Sequence, residues 1–172
     1  MKQFFKFIEK STENFKNKIV EAIEDDNFWL NELGISDIEI SECKNIRELI
    51  LSKLEDKNNT NNTYKIIEYV LNDFVLGDDD YCFFYMYCSA NAHTGCCALY
   101  VFKFNDKYNC YYYNYAGEWN REITNNPIPF CNSAFSKTKE IYEIEKKVIN
   151  DEYWEKNEFN LQFNIFVQIP SN

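Results

Sequence analysis

Chain breakers are scarce. Four glycines and three prolines in 172 residues leave little to interrupt regular structure, so most of the chain is expected in helices and strands. The glycines stand apart at positions 34, 77, 95 and 117, which excludes a glycine-rich phosphate loop. There is one histidine, His93, so any imidazole base has to be that residue. No stretch approaches the ~18 to 20 apolar residues of a membrane span. The opening Met1 to Lys10 breaks every apolar run with charge, which predicts no export signal. Seven cysteines, an odd number, argue against a closed disulfide set and predict reduced thiols in a cytoplasmic protein. Basic charge is also in deficit: 18 Lys and Arg against 28 Asp and Glu give a net charge of −10. An acidic chain repels phosphate backbones, so direct nucleic-acid binding is disfavoured and a basic partner is favoured. The competing reading of that charge is plain solubility.

Aromatic residues are abundant, with 15 Phe, 13 Tyr and 3 Trp. Asn, Lys, Ile and Tyr are used as AT-rich bacterial or phage genes would encode them. The charge is unevenly spread. Residues 1–20 hold five Lys against two Glu, whereas residues 21–56 hold eleven acids against three bases.

Phe4, Ile8, Phe15, Ile19 and Ile23 recur at helical steps and predict an amphipathic helix over 3–24. Asn45 is placed to cap a helix carrying Ile46, Leu49, Ile50 and Leu54. Asn58 to Asn62 reads as a polar loop, with Thr63 capping a helix that carries Ile66, Ile67, Val70, Leu71 and Phe74. After Gly77-Asp78-Asp79-Asp80 the period changes to two. Strands are expected over Tyr81–Cys88, Cys96–Phe104 and Tyr108–Tyr115, with Glu118–Ile123 a fourth. Asn105-Asp106-Lys107 is a hairpin loop. Pro127 and Pro129 rule out a central strand there, and a helix is expected to start at Ser136 or Thr138. Residues Phe159 to Ile169 alternate apolar with mostly polar and predict a closing strand inside the sheet, with Phe163 and Ile165 buried. The expectation is one α+β domain over 1–172, helical to about 76. From about 80 to 169 it is a mostly antiparallel sheet of four to five strands with one further helix.

Three constellations carry possible chemistry. Cys82, Cys88, His93, Cys96 and Cys97 are rich in zinc-ligand types, but the Cys-x-x-Cys knuckle is missing and alternation sends Cys96 and Cys97 to opposite faces. A nucleophilic pair of Cys96 or Cys97 with His93 is the second; the alternative is a solvated hairpin loop, Ser89 to Gly95, beside cysteines acting as small hydrophobes. Asp78-Asp79-Asp80 lacks the calcium-loop spacing and reads as a solvated turn. No metal and no cofactor are expected. The remaining feature is Tyr111 to Trp119. If Tyr112 faces the core, Tyr111, Tyr113 and Tyr115 line the other side, either as an interface surface or under covering helices.

On its acidic tract from Glu21 to Asp56, its aromatic sheet from Tyr81 to Trp119, Trp154 and the closing strand, the chain resembles the small acidic immunity proteins of bacterial toxin systems, including contact-dependent growth inhibition. That resemblance implies a cytoplasmic, non-enzymatic protein that binds a cognate basic toxin, such as a nuclease domain, and blocks it. The partner-binding candidates are the acids Glu24, Asp25, Asp26, Asp78, Asp79 and Asp80 and the aromatic anchors Tyr111, Tyr113, Tyr115 and Trp119. A phage-encoded inhibitor of a host defence complex and a small Cys/His-dependent enzyme are the alternatives.

Overall fold

The computed structural model describes residues 2–75, 80–90, 93–148 and 160–161. Helix α1 (Lys2–Ile23) is followed by two short helices, α2 (Asn27–Glu32) and α3 (Asp37–Glu42), then α4 (Ile46–Leu54), a 3₁₀ turn (Lys57–Asn59) and α5 (Thr60–Val70), which runs into a π-helical turn (Leu71–Val75). The sheet comprises β1 (Cys82–Ala90), β2 (His93–Phe104), β3 (Lys107–Tyr113) and β4 (Trp119–Thr124); helix α6 (Ile128–Val148) and a two-residue strand β5 (Asn160–Leu161) complete it. The order is β4-β3-β2-β1-β5 and every pairing is antiparallel. This is the α+β class that the change of period predicts. No helix among the described residues is long and apolar enough to cross a membrane.

Alternation along β2 divides the core in two. Ala98, Tyr100, Phe102 and Phe104 face one side, with Tyr111 of β3, and pack on Phe15, Ile19, Ile23, Leu30, Ile50, Leu54, Ile67 and Val70 from α1, α2, α4 and α5. Cys97, Leu99 and Val101 face the other, with Cys110 and Tyr112, and pack on Phe4 and Ile8 of α1 and Cys131 and Ala134 of α6. Helix α1 thus contributes to both faces. It does so where β2 outruns β1, whose first partner is Tyr100, so the backbone beyond it lacks a strand on that side. Thr12 supplies the missing acceptor: its buried hydroxyl takes the amide of Lys103 at 3.0 Å. Phe15 stacks on Phe102 with ring centroids 4.0 Å apart, and Phe4 stacks on Phe83 at 5.0 Å.

Several local expectations change. The β2–β3 hairpin closes through Asn105 and Asp106, at φ 51° and 60°, the double left-handed geometry of a two-residue turn that Asn and Asp tolerate best. Thr63 is no cap. It lies inside α5, fully buried, and its hydroxyl donates to the Leu54 carbonyl, stitching α5 to the end of α4. Helix α6 starts at Ile128, eight residues before Ser136. Asn126 accepts from the Ile128 amide, and Pro129 sits in the first turn where its missing N–H costs nothing. Residues 89, 90 and 93–95 belong to strands rather than to a loop. Of the predicted closing strand only Asn160 and Leu161 lie within the described residues, paired with Tyr85 and Phe84; Phe163 and Ile165 lie outside them.

Candidate interaction surface

The acidic tract of residues 21–56 folds into the end of α1, α2, α3 and α4. Its buried residues, Leu30, Leu33, Ile35, Ile50 and Leu54, anchor these short helices on the sheet, so the charged positions are left outward. Part of the charge is spent internally. Asp26 Oδ1 accepts from the amides of Phe28 (2.9 Å) and Trp29 (3.4 Å), capping α2. Glu39 closes a capping box with Ser36 and reaches Lys53 of α4 at 2.9 Å. The Lys53 bond and then those from the Ser36 amide and hydroxyl hold its carboxyl down to about 2. Glu32 pairs with Lys65, Glu55 with Lys16, and Asp56 caps the 3₁₀ turn.

Five of the eleven acids are left over. Glu24, Asp25, Asp37, Glu42 and Glu48 make no side-chain hydrogen bond or ion pair among the described residues, and all but the half-buried Glu24 are exposed. Beside them stand two large apolar side chains in water: Phe28 on α2, 63% exposed, and Ile38 on α3, 68% exposed. Phe28 meets Trp29 edge-on at 5.0 Å, and Trp29 in turn rests on Tyr69 of α5 at 4.9 Å. A string of three rings therefore runs from solvent to the half-buried surface of α5. On α3, Ile38 and Glu42 are one turn apart and share a face.

Of the predicted acidic sites, Glu24 and Asp25 are uncommitted and Asp26 is a helix cap. Asp80 is exposed, while Asp78 and Asp79 lie outside the described residues. The predicted aromatic anchors behave differently. Tyr111 is 1% exposed and belongs to the core, because α5 and its neighbours cover that face of the sheet; it is corrected from anchor to core residue. Trp119 is half-buried, its indole N–H donating to Asn72 Oδ1 at 2.5 Å, and Tyr113 packs against it edge-on at 4.9 Å. Tyr115 is half-buried against Gly95. Arg121, opposite Tyr111 on β4, pairs with Glu68, so Tyr64 and Glu68 of α5 and Asn72 of the π-helical turn form one stripe laid on the β3–β4 ribbon. These aromatics mostly join α5 to the sheet, and among the described residues the outward aromatic is Phe28.

The exposure of Phe28 and Ile38 has a signal in the sequence. Each precedes a buried or half-buried apolar residue by two positions, Leu30 and Ile40. In a strand such a pair shares a face; in a helix two residues turn ~200°, so one of the pair must point away. The capping box Ser36-x-x-Glu39 marks α3 as the helical case.

Cys96 and Cys97 fall on opposite faces, Cys97 buried and Cys96 half-buried. Burial pushes both thiols up, away from the thiolate that a nucleophile requires. Cys131 of α6 and Cys110 of β3 hydrogen-bond in the second core, and burial raises Cys131 well above an ordinary thiol. His93 opens β2 opposite Ala90. No group of three or more metal-ligating side chains occurs among the described residues.

No family model, curated protein or solved structure matches this chain.

Proposed function

We propose that this protein is a non-enzymatic inhibitor that binds a basic protein, acting as an immunity protein against a toxin of the nuclease kind. The observation that carries the reading is the surplus of uncommitted acids between the end of α1 and α4, on the same stretch of chain as the exposed Phe28 and Ile38. Acids already used for caps and ion pairs explain themselves as structure. Asp37 and Glu48 stand in the first turns of α3 and α4, where an acid favours the helix, but Glu24, Asp25 and Glu42 have no such role, and Phe28 and Ile38 lose free energy by facing water. A basic partner satisfies both: its cations are drawn to the carboxylates, and its apolar groups cover the two side chains.

The test is direct. The product of the adjoining gene is purified with and without this protein, and complex formation and catalytic activity are both measured. Stoichiometric binding that abolishes the partner's activity is the expected result. Absence of binding, together with a small-substrate activity that Cys96→Ala abolishes, would replace the reading with the enzymatic one.

A further inference from the structure

A cavity of about 380 Å³ lies on the opposite side of the sheet, between α6 and the turn that follows β3. Its volume is within the ~300 to 1,000 Å³ of small-molecule sites. Both walls are pinned. On one side the turn from Asn114 to Glu118 is closed by four hydrogen bonds. The Asn114 amide donates to the Glu118 carbonyl, the Gly117 amide to the Asn114 carbonyl, the Glu118 amide to Asn114 Oδ1, and Asn114 Nδ2 to Glu118 Oε2. Gly117 takes φ +83°, and the Tyr115 ring presses so closely on Gly95 that a Cβ there would clash with it. The other wall is α6, fastened to the floor of the cavity by the buried hydroxyls of Tyr112 and Thr138, 3.0 Å apart. Such preorganisation lowers the ordering cost of taking up a ligand.

The lining is of two kinds. Tyr112, Tyr115 and Ile141 offer apolar and aromatic surface. Asn120, Lys137 and Glu140 offer an amide, an ammonium and a carboxylate, none of which has a side-chain partner among the described residues. Lys137 and Glu140 are three positions apart on α6, so their Cβ atoms are about 5 to 6 Å apart and both side chains emerge on one face. One positive and one negative group at that spacing, over an apolar wall, is the complement of a zwitterion with an apolar body. A purely cationic or anionic ligand would meet one of the two with like charge.

We infer that this cavity binds a small zwitterion with an apolar side chain, an α-amino acid or a dipeptide. Its carboxylate lies toward Lys137, its ammonium toward Glu140, and its side chain between Tyr115 and Ile141. The site is separate from the acidic helical surface, and its fate does not depend on the partner-binding reading.

The test is a titration of the ¹⁵N-labelled full chain, followed by amide chemical shifts, with L-phenylalanine and glycyl-L-phenylalanine as probes. Saturable shifts at Tyr115, Asn120 and Glu140 are expected from one or both, and the tighter of the two identifies the source. N-acetyl-L-phenylalanine, which lacks the ammonium, and L-phenylalaninamide, which lacks the carboxylate, should each bind about tenfold more weakly, as loss of one charge-assisted contact predicts. Glu140→Gln should erase the penalty for acetylation and Lys137→Met the penalty for amidation. Both positions are exposed, so neither change should unfold the chain. Absence of saturable shifts, equal affinity for the blocked analogues, or the same shifts produced by glucose would overturn the inference. Because the analogue series uses the unaltered protein, it decides the matter even where a variant misfolds.

Discussion

At Gly95 the ring of Tyr115 occupies the space of a side chain, which makes this half-buried strand position intolerant of even one carbon. Gly95→Ala forces the ring to shift, since the new Cβ would collide with Tyr115 Cε2. The expected cost is about 1 to 3 kcal/mol, the usual penalty for overpacking. In a Tyr115→Ala background most of that cost should disappear, and a double-mutant cycle in chemical denaturation measures the difference. Glu39 supplies a second residue-scale prediction. Its carboxyl is held down to about 2 in the folded protein, from 4.5, by Lys53 and Ser36. A lowered folded value means that the group stabilises the fold at pH above 4.5 and that this contribution is lost as the pH falls through about 2. Thermal midpoints of the parent and Glu39→Gln, followed from neutral pH downward, should therefore differ at neutral pH and converge across that acid window. A constant offset at every pH would assign the effect to something other than the charge. The residue is half-exposed to solvent, so the convergence should also weaken with added salt.

Helix α1 is the element on which the two cores depend jointly, with Phe4 and Ile8 in one and Phe15, Ile19 and Ile23 in the other. Phe15 is fully buried and stacked on Phe102 at 4.0 Å, so Phe15→Ala should cost about 3 to 5 kcal/mol, read from the midpoint and slope of guanidinium unfolding. A change under about 1 kcal/mol would mean the helix is not anchored there. How far such elements can be read in advance follows from what sets them. The 3.6-residue recurrence of α1 and the aromatic and β-branched content of β1 to β3 are properties of one segment at a time, and they were legible. So was the Asn45 cap, whose side chain takes the Arg47 amide 3.0 Å away. Thr63 and the start of α6 were not. Thr63 is polar and follows a run of amides, which imitates a cap; that its hydroxyl belongs to the Leu54 carbonyl is a tertiary fact. Pro127 and Pro129 look like breakers but open α6, because a first turn needs no amide donor. The burial of Tyr111 turned on a helix, α5, whose landing place on the sheet no local pattern states. Conversely, the exposure of Phe28 was within reach once α2 and α3 were recognised as helices.

Among the described residues the two most exposed large apolar side chains, Phe28 and Ile38, fall on the acidic stretch, whereas Ile144 of α6 and Ile123 of β4 stand apart from it. Charge and apolar exposure on that stretch should govern different stages of binding. Long-range attraction from the free acids of residues 21–56 acts before contact and sets the rate of encounter. A desolvated aromatic acts only after contact and sets how long the complex lasts. Replacing Glu24, Asp25, Asp37 and Glu42 by Lys should lower the association rate with the basic partner and flatten its dependence on ionic strength. The dissociation rate should change less. Phe28→Ala should do the opposite, leaving association almost unchanged and speeding dissociation; a loss of about 2 kcal/mol would place it among binding hot spots. Tyr111→Phe is the discriminating control. Its hydroxyl is buried in the core, so its removal should leave both rates alone, whereas an effect on binding would return the interface to the β3–β4 ribbon. All three variants are measurable in one surface-binding experiment at two salt concentrations. If charge reversal and Phe28→Ala both leave the rates unchanged while the complex still forms, the partner docks elsewhere and the acids of α1 to α4 serve solubility alone.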